Sequence, residues 1–291
     1  MSHYCPSWSR TQRDLFFRCP TAWVLKYARL EKTSNRRTSS VVSSWNLMLR
    51  ALKTTIIEQL EELRSGTEWT TSVTHLVLRN HLIQMLRHHH KQIEHPRMEA
   101  LLKFAEHRLM LLWRTDLFLQ ITNGTHPQWS VLDRRDSEHI DGIDVFASPD
   151  LVVRIQSKWN LVRLDMQGSQ NSEQERMESL LMVLWSIQRS GLPSTFGQFI
   201  VQTIGWRKGG WMIHRTPVTQ KEVETAFQMV RKDTMAMSEC ARVASYSMAS
   251  LPLARTESSC RQCSFQNRCL GGSSLAEKKQ RRVEGLSGEV Q

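Results

Sequence analysis

The chain has 291 residues, six of them cysteine, and a formal net charge of +11 from 39 Lys and Arg against 28 Asp and Glu. Its 40% hydrophobic content supports a real core, in one large domain or two small ones. Disulfide-scaffold density is excluded, the longest apolar run (180–185) is far too short to cross a bilayer, and residues 1–5 lack the regions of a secretory leader. The expectation is a soluble protein of a reducing compartment, cytoplasmic, with no membrane partner. The basic balance points to a polyanion.

In chain order, residues 9–29 read as a helix interrupted near Cys19-Pro20, because proline breaks the hydrogen-bond ladder. This segment interleaves Arg10, Arg13, Arg18, Lys26 and Arg29 with Phe16, Phe17, Trp23 and Tyr27. The arginines are candidates for phosphate contact, and most of the aromatics read as core. Residues 33–44, rich in Ser, Thr and Arg, form a loop. A strongly amphipathic helix follows at 45–64, with Leu49, Leu52, Ile56, Leu60 and Leu63 on one face. Two more helices are expected at 72–90 and 97–119. His88-His89-His90 points in three directions on a helix and reads as a solvated face rather than a metal site.

From 129 to 167 the pattern turns to strands, at 142–146, 150–155 and 160–165. A helix at 173–188 stops at Gly191-Leu192-Pro193. Strands at 196–204 and 211–215 flank a hairpin signal at 207–210. A helix at 221–247 leads to the last cysteines, and the polar tail beyond 272 has the composition of a disordered segment. The domain reading is therefore 1–44, an N-terminal helix; 45–128, a helical arm; 129–220, a core sheet; 221–271, a helix and cysteine segment; and 272–291, a tail. The fold class is α/β, a mixed sheet flanked by helices.

Two constellations carry chemistry. Cys260, Cys263 and Cys269 form C-x2-C-x5-C, a spacing that suits a metal or an iron–sulfur cluster, and a fourth thiol must come from elsewhere. Cys19, in Arg18-Cys19-Pro20, is the best-placed donor; Cys5 is a second candidate, and Cys240 stands alone. Spacing does not separate zinc from iron–sulfur. The second constellation is a carboxylate pair, Asp150 at the start of one strand and Asp165 at the end of the next. Such a pair suits Mg²⁺ or Mn²⁺, which would polarise a scissile phosphate and activate water.

With both sets in view the chain resembles the PD-(D/E)XK nuclease superfamily, in its RecB-like branch that carries a [4Fe–4S] cluster. That branch includes CRISPR-associated RecB-like exonucleases, the AddB subunit of bacterial helicase-nucleases and a eukaryotic replication helicase-nuclease. The resemblance runs to about residue 271. It rests on the entry segment 7–27 (SWSRTQRDLFFRCPTAWVLKY), on the C-terminal cysteine spacing, and on Ser148-Pro149-Asp150 with Leu164-Asp165-Met166-Gln167. It implies a restriction-endonuclease-like core and a [4Fe–4S] cluster on Cys19, Cys260, Cys263 and Cys269 that staples the two chain ends. It further implies a Mg²⁺ or Mn²⁺ site on Asp150 and Asp165.

Three positions depart from the family pattern. The family lysine falls on Gln167, with Lys158 or Arg163 as possible migrated cations. The metal-binding histidine of an early helix has only Asn46 in its region. The Gln-x3-Tyr pair becomes Gln174 and Glu178. The function expected is a metal-dependent, exonuclease-like deoxyribonuclease in which Gln167 orients water. Arg10, Arg13 and Arg18 would hold DNA that is single-stranded or has a free end. The alternative is an inactive pseudo-nuclease that binds DNA or serves as a subunit alongside protein partners.

Overall fold

The computed structural model describes residues 6–28, 42–168, 172–254, 256–261, 263–266 and 269. Cys5, most of the 33–44 loop and the 272–291 tail lie outside the described residues. The chain divides into two compact units: Met1–Val41, His139–Val145 and Gln228–Gln291 in the first, Val42–Glu138 and Phe146–Phe227 in the second. Among the described residues no helix is long and apolar enough to cross a membrane. The architecture is mixed α/β, with mixed sheets flanked by helices.

The first unit opens with a short strand, β1 (Ser7–Ser9), and a helix, α1 (Arg10–Arg18). Ser9 caps α1 by accepting from the Gln12 amide at 3.2 Å, satisfying one of the orphan N–H groups of the first turn. The expected interruption falls at Cys19, which has extended backbone. Pro20 then starts α2 (Pro20–Trp23), its missing N–H costing nothing at a first helical position. A π-helical turn, Val24–Ala28, follows. Trp8 and Trp23 are fully buried and Phe16 nearly so, whereas Phe17 is exposed, so three of these four aromatics are core. Phe16, Trp23 and Val24 pack with Met237, Ala241, Ala244 and Leu251, which joins the N-terminal helices to the C-terminal part of the chain.

The second unit begins with four helices: α3 (Ser44–Arg64), α4 (Thr71–His88), α5 (His95–Trp113) and α6 (Asp116–Thr122). Ser43 and Thr70 cap α3 and α4 through their hydroxyls, and Pro96 occupies the first turn of α5. The single helix expected at 97–119 is two, because α5 ends at Trp113 and Thr115 begins the next. His88 ends α4, and His90 adopts a left-handed φ of 51° just beyond it. The rest of the sequence forms β2 (Trp129–Val131), β3 (Glu138–Ile140), β4 (Ile143–Phe146), β5 (Leu151–Ile155), β6 (Lys158–Asp165), α7 (Ser172–Gln188), β7 (Phe199–Arg207), β8 (Gly210–Thr216), α8 (Gln220–Tyr246) and α9 (Glu257–Arg261).

Strands β1, β4 and β3 form a three-stranded sheet. The larger sheet runs β2-β5-β6-β7-β8. Within it β6 and β7 are parallel and the other neighbours antiparallel. A parallel pair needs a crossover, and α7 supplies it. Leu47, Leu52, Ile56 and Leu60 of α3 share one core with Leu102 and Leu109 of α5 and with Leu151, Val153, Val162 and Leu164 of the sheet. The helices expected as an arm are thus a layer packed on the sheet. Alternate residues of β6 point to opposite faces, so Val162 and Leu164 serve this core while Arg163 and Asp165 face the other way.

Candidate functional site

Asp150 directly precedes β5 and is completely buried. Its backbone continues the ladder, the Asp150 amide donating to the Val162 carbonyl at 2.9 Å. Leu151 pairs with Val162, so the next residue along β6, Arg163, comes beside Asp150. The Asp150 Oδ2 accepts from the Leu164 amide at 2.7 Å and from Lys53 Nζ at 2.8 Å. Around Oδ1 stand Lys53 Nζ at 2.8 Å, Arg134 Nε at 3.5 Å and Arg163 Nη1 at 3.8 Å. Glu178 of α7, itself buried, takes Arg163 Nη2 at 3.1 Å and Arg134 Nη2 at 3.3 Å. Two carboxylates thus sit among three cations.

The energetics follow from that arrangement. Burial alone would push the Asp150 carboxyl up, but Lys53, Arg163 and Arg134 outweigh it and hold the group down at about 2. Burial, helped by the two arginines, lowers Lys53 to about 8 against the pull of Asp150. Lys53 also donates to the Leu164 carbonyl at 3.2 Å, so one helix side chain closes the gap between the start of β5 and the end of β6. A buried carboxylate with this many partners is stable only as a set, because removing one leaves uncompensated charge.

Asp165 ends β6 and is half-buried; its Oδ1 accepts from the Gln167 amide at 3.1 Å. The Gln167 side chain donates from Nε2 to Asn46 Oδ1 at 3.1 Å. Gln167 and Asn46, two of the positions where the sequence departs from the pattern it resembles, are therefore bonded to each other. Gly168 follows with φ +63°, and a Cβ there would lie 2.2 Å from the Trp206 carbonyl oxygen. Only glycine lets the exit of β6 pass so close to β7.

Of the two cations considered for migration, Arg163 reaches Asp150, while Lys158 donates to the Gly197 carbonyl. Lys53 and Arg134 escape the sequence reading. A signal for Lys53 was present: it lies four residues after Leu49 and three before Ile56, on the flank of the apolar stripe of α3. Arg134 lies between strands, with no periodicity to mark it. Glu178 is at the heart of the cluster, and the Gln174 side chain lies outside the described residues.

In the first unit Cys19, Cys260, Cys263 and Cys269 line one small pocket together with Leu25 and Phe265. Residues as remote as 19 and 269 therefore line the same pocket. None of the described cysteines is in a disulfide. Cys19 Sγ accepts from the Ala22 amide and Cys263 Sγ from the Phe265 amide, each at 3.4 Å. Burial, then repulsion from Cys269 and Cys263, pushes the Cys19 thiol up. Four sulfurs around a largely apolar pocket are a soft donor set of the number an iron–sulfur cluster takes. Among the described residues, no group of three or more His, Cys, Asp or Glu side chains is arranged to hold a single metal ion as it stands.

Arg10 lies 3.9 Å from Asp14, both partly exposed. Arg13 gives its Nε to Asp233 at 2.8 Å, where Trp8 Nε1 also donates, and its guanidinium lies 4.7 Å from the Phe17 ring centre. Arg18 is exposed at the last turn of α1. Cys240 lies apart from the pocket, packed against the Phe16 and Trp23 core.

No protein-family model matches this sequence, and no curated protein does. Among solved structures, the crystal structure of SSO0001 is similar at 13% identity, covering 77% of this chain and 95% of that one with a TM-score of 0.30. That likeness is too loose to define a shared fold.

Proposed function

We propose that this chain is a RecB-like protein of the PD-(D/E)XK superfamily that binds single-stranded or frayed DNA and does not cut it. It would act as a subunit whose first unit is held by a [4Fe–4S] cluster on Cys19, Cys260, Cys263 and Cys269. The observation that carries the non-cutting reading is the charge set on Asp150. Lys53, Arg134 and Arg163 all stand within 3.8 Å of its Oδ1. A divalent cation at that carboxylate must replace counter-charge that the chain already supplies, inside a site with no surplus of negative charge. The substitutions agree: Gln167 stands where the resemblance calls for a lysine, and its side chain is tied to Asn46.

The pocket supports the cluster by its donors, since among the described residues Cys19 reaches the C-terminal three. When bound, a cluster supplies bonds that fix residue 19 to residues 260–269, and such bonds are folding free energy. Arg10 and Arg18 on α1, with the net charge of +11, are the basic side chains that would meet phosphates.

A second reading has one observation in its favour. Lys53, held at about 8 beside Asp150, has the charge and placement that Gln167 lacks. In that reading the protein is the metal-dependent nuclease, Asp150 and Asp165 would hold Mg²⁺ or Mn²⁺ to polarise the phosphate, and Lys53 would stand in for the family lysine. Incubating anaerobically purified protein with labelled single- and double-stranded DNA, in Mg²⁺, Mn²⁺ or chelator, separates the two. The expected result is retained, intact DNA in every condition. Metal-dependent product that vanishes in Asp165→Ala would establish the nuclease instead.

A further inference from the structure

The second unit carries an aromatic cluster at the end of β6 that the nuclease motifs do not explain. Phe104 is 57% exposed and Trp45 37% exposed, large ring surfaces to leave in water. Their rings meet edge to face at 5.9 Å. Behind them Arg108, one helical turn after Phe104, lies 5.0 Å from the Trp45 ring centre and 4.5 Å from that of Trp206. The cluster is fixed in place: Arg108 Nη1 donates to the Met166 carbonyl at 3.0 Å, and Trp211 Nε1 donates to the Arg108 carbonyl at 2.7 Å. It also adjoins the motif directly, since Trp45 precedes the Asn46 that holds Gln167.

We infer that Trp45 and Phe104, braced by Arg108 and Trp206, form a stacking platform for the unpaired bases of single-stranded DNA. Every base has a π-face, so rings held rigidly at a surface accept bases without regard to sequence. The charge is right for a strand: Arg108 places a cation against the rings, and Arg50 and Lys103 are exposed on the same two helices. A protein partner would need apolar area, whereas this patch is two ring surfaces backed by the Arg108 guanidinium. A paired duplex keeps its base faces stacked and offers the platform nothing. This inference rests on the DNA-binding reading above and names the part of the surface that selects single strands.

The test is fluorescence anisotropy in chelator with a labelled oligo(dT) of about 15 nucleotides. An abasic strand of the same length and charge and a blunt duplex serve as comparisons. The wild-type protein should bind oligo(dT) about tenfold tighter than the abasic strand. The double variant Trp45→Ala/Phe104→Ala should lose about that factor on oligo(dT) while keeping its affinity for the abasic strand. Trp45→Phe should restore part of it, and near-ultraviolet circular dichroism should show the variants folded. Equal wild-type affinity for oligo(dT) and the abasic strand, or an unaltered double variant, overturns the platform but leaves DNA binding standing. Failure to bind any of the three nucleic acids overturns both. Because metal is absent, cleavage has no bearing on either outcome.

Discussion

The cysteine pocket and the Asp150 cluster both gather polar groups far apart in sequence, and they satisfy those groups in opposite ways. Around Asp150 the chain provides its own partners, two backbone or lysine donors on one oxygen and three cations near the other. Around Cys19 it provides sulfur donors and apolar walls, with backbone amides at 3.4 Å as the hydrogen bonds to Cys19 and Cys263. The first site already holds compensating charge, with Asp150 Oδ1 near three cations but without a hydrogen-bond partner among the described residues, whereas the second has donors to give. A site that resembles a metal centre in sequence is therefore better judged by what its ligands already hold than by which residues they are.

The largest test of that contrast is in the pocket. If the four thiols hold a cluster, Cys263→Ala should remove folding free energy on the order of 10 kcal/mol, comparable to a structural metal site. Iron and acid-labile sulfide should be lost and the first unit should melt out. A wild-type protein free of iron, zinc and sulfide, with a melting temperature that Cys263→Ala leaves unchanged, would show that the pocket needs no such group. Zinc without sulfide in the wild-type protein would keep the staple and change its metal.

Lys53→Ala is expected to come next. It leaves Asp150 buried with weaker compensation, at a cost of about 3 kcal/mol, read as a fall in denaturation midpoint with unchanged m-value. A loss below about 1 kcal/mol, the worth of an exposed pair, would mean that Lys53 is not part of the set. The same cluster should make the protein acid-sensitive. Asp150 is held at about 2 when folded, below an ordinary value of 3.8, so its contribution is complete above about pH 4. It should disappear as the pH falls toward 2, a loss of about 2 kcal/mol absent from Asp150→Asn. The smallest effect is at Gly168, where φ is +63° and a Cβ would meet the Trp206 carbonyl at 2.2 Å. Gly168→Ala should cost about 2 kcal/mol, measured by thermal melting, if the exit of β6 is fixed as described.

Much of this was legible in the sequence, for identifiable reasons. The break at Cys19-Pro20, the long α3 and α8 and the strands β5 to β8 follow from proline chemistry and from clear periods. That Cys260, Cys263 and Cys269 call for a fourth thiol could be read from spacing, because three thiols in ten residues have few other uses; Cys19 rather than Cys5 came from the resemblance. The strands β1, β2 and β3 have three residues each, too short for any period to show. The split between α5 and α6 falls at Arg114-Thr115, neither of them a helix breaker.

At the site, Asp150 was visible but its environment was not. A carboxylate that awaits a metal and one locked into an ion cluster have the same sequence. Lys53 arrives from a helix 97 positions away, and only packing reveals where its amine goes. The departures at Asn46, Gln167 and Glu178 looked independent in sequence. In the structure Gln167 and Asn46 bond each other, and Glu178 neutralises the arginines that surround Asp150.

The measurement that tests the central claim most directly is a crystal structure of the protein soaked in excess Mn²⁺, with anomalous scattering recorded at the manganese edge. The account predicts Lys53 Nζ on Asp150 and no anomalous peak at that carboxylate. A manganese peak shared by Asp150 and Asp165, with Lys53 displaced, would contradict it and return the chain to the metal-dependent nucleases.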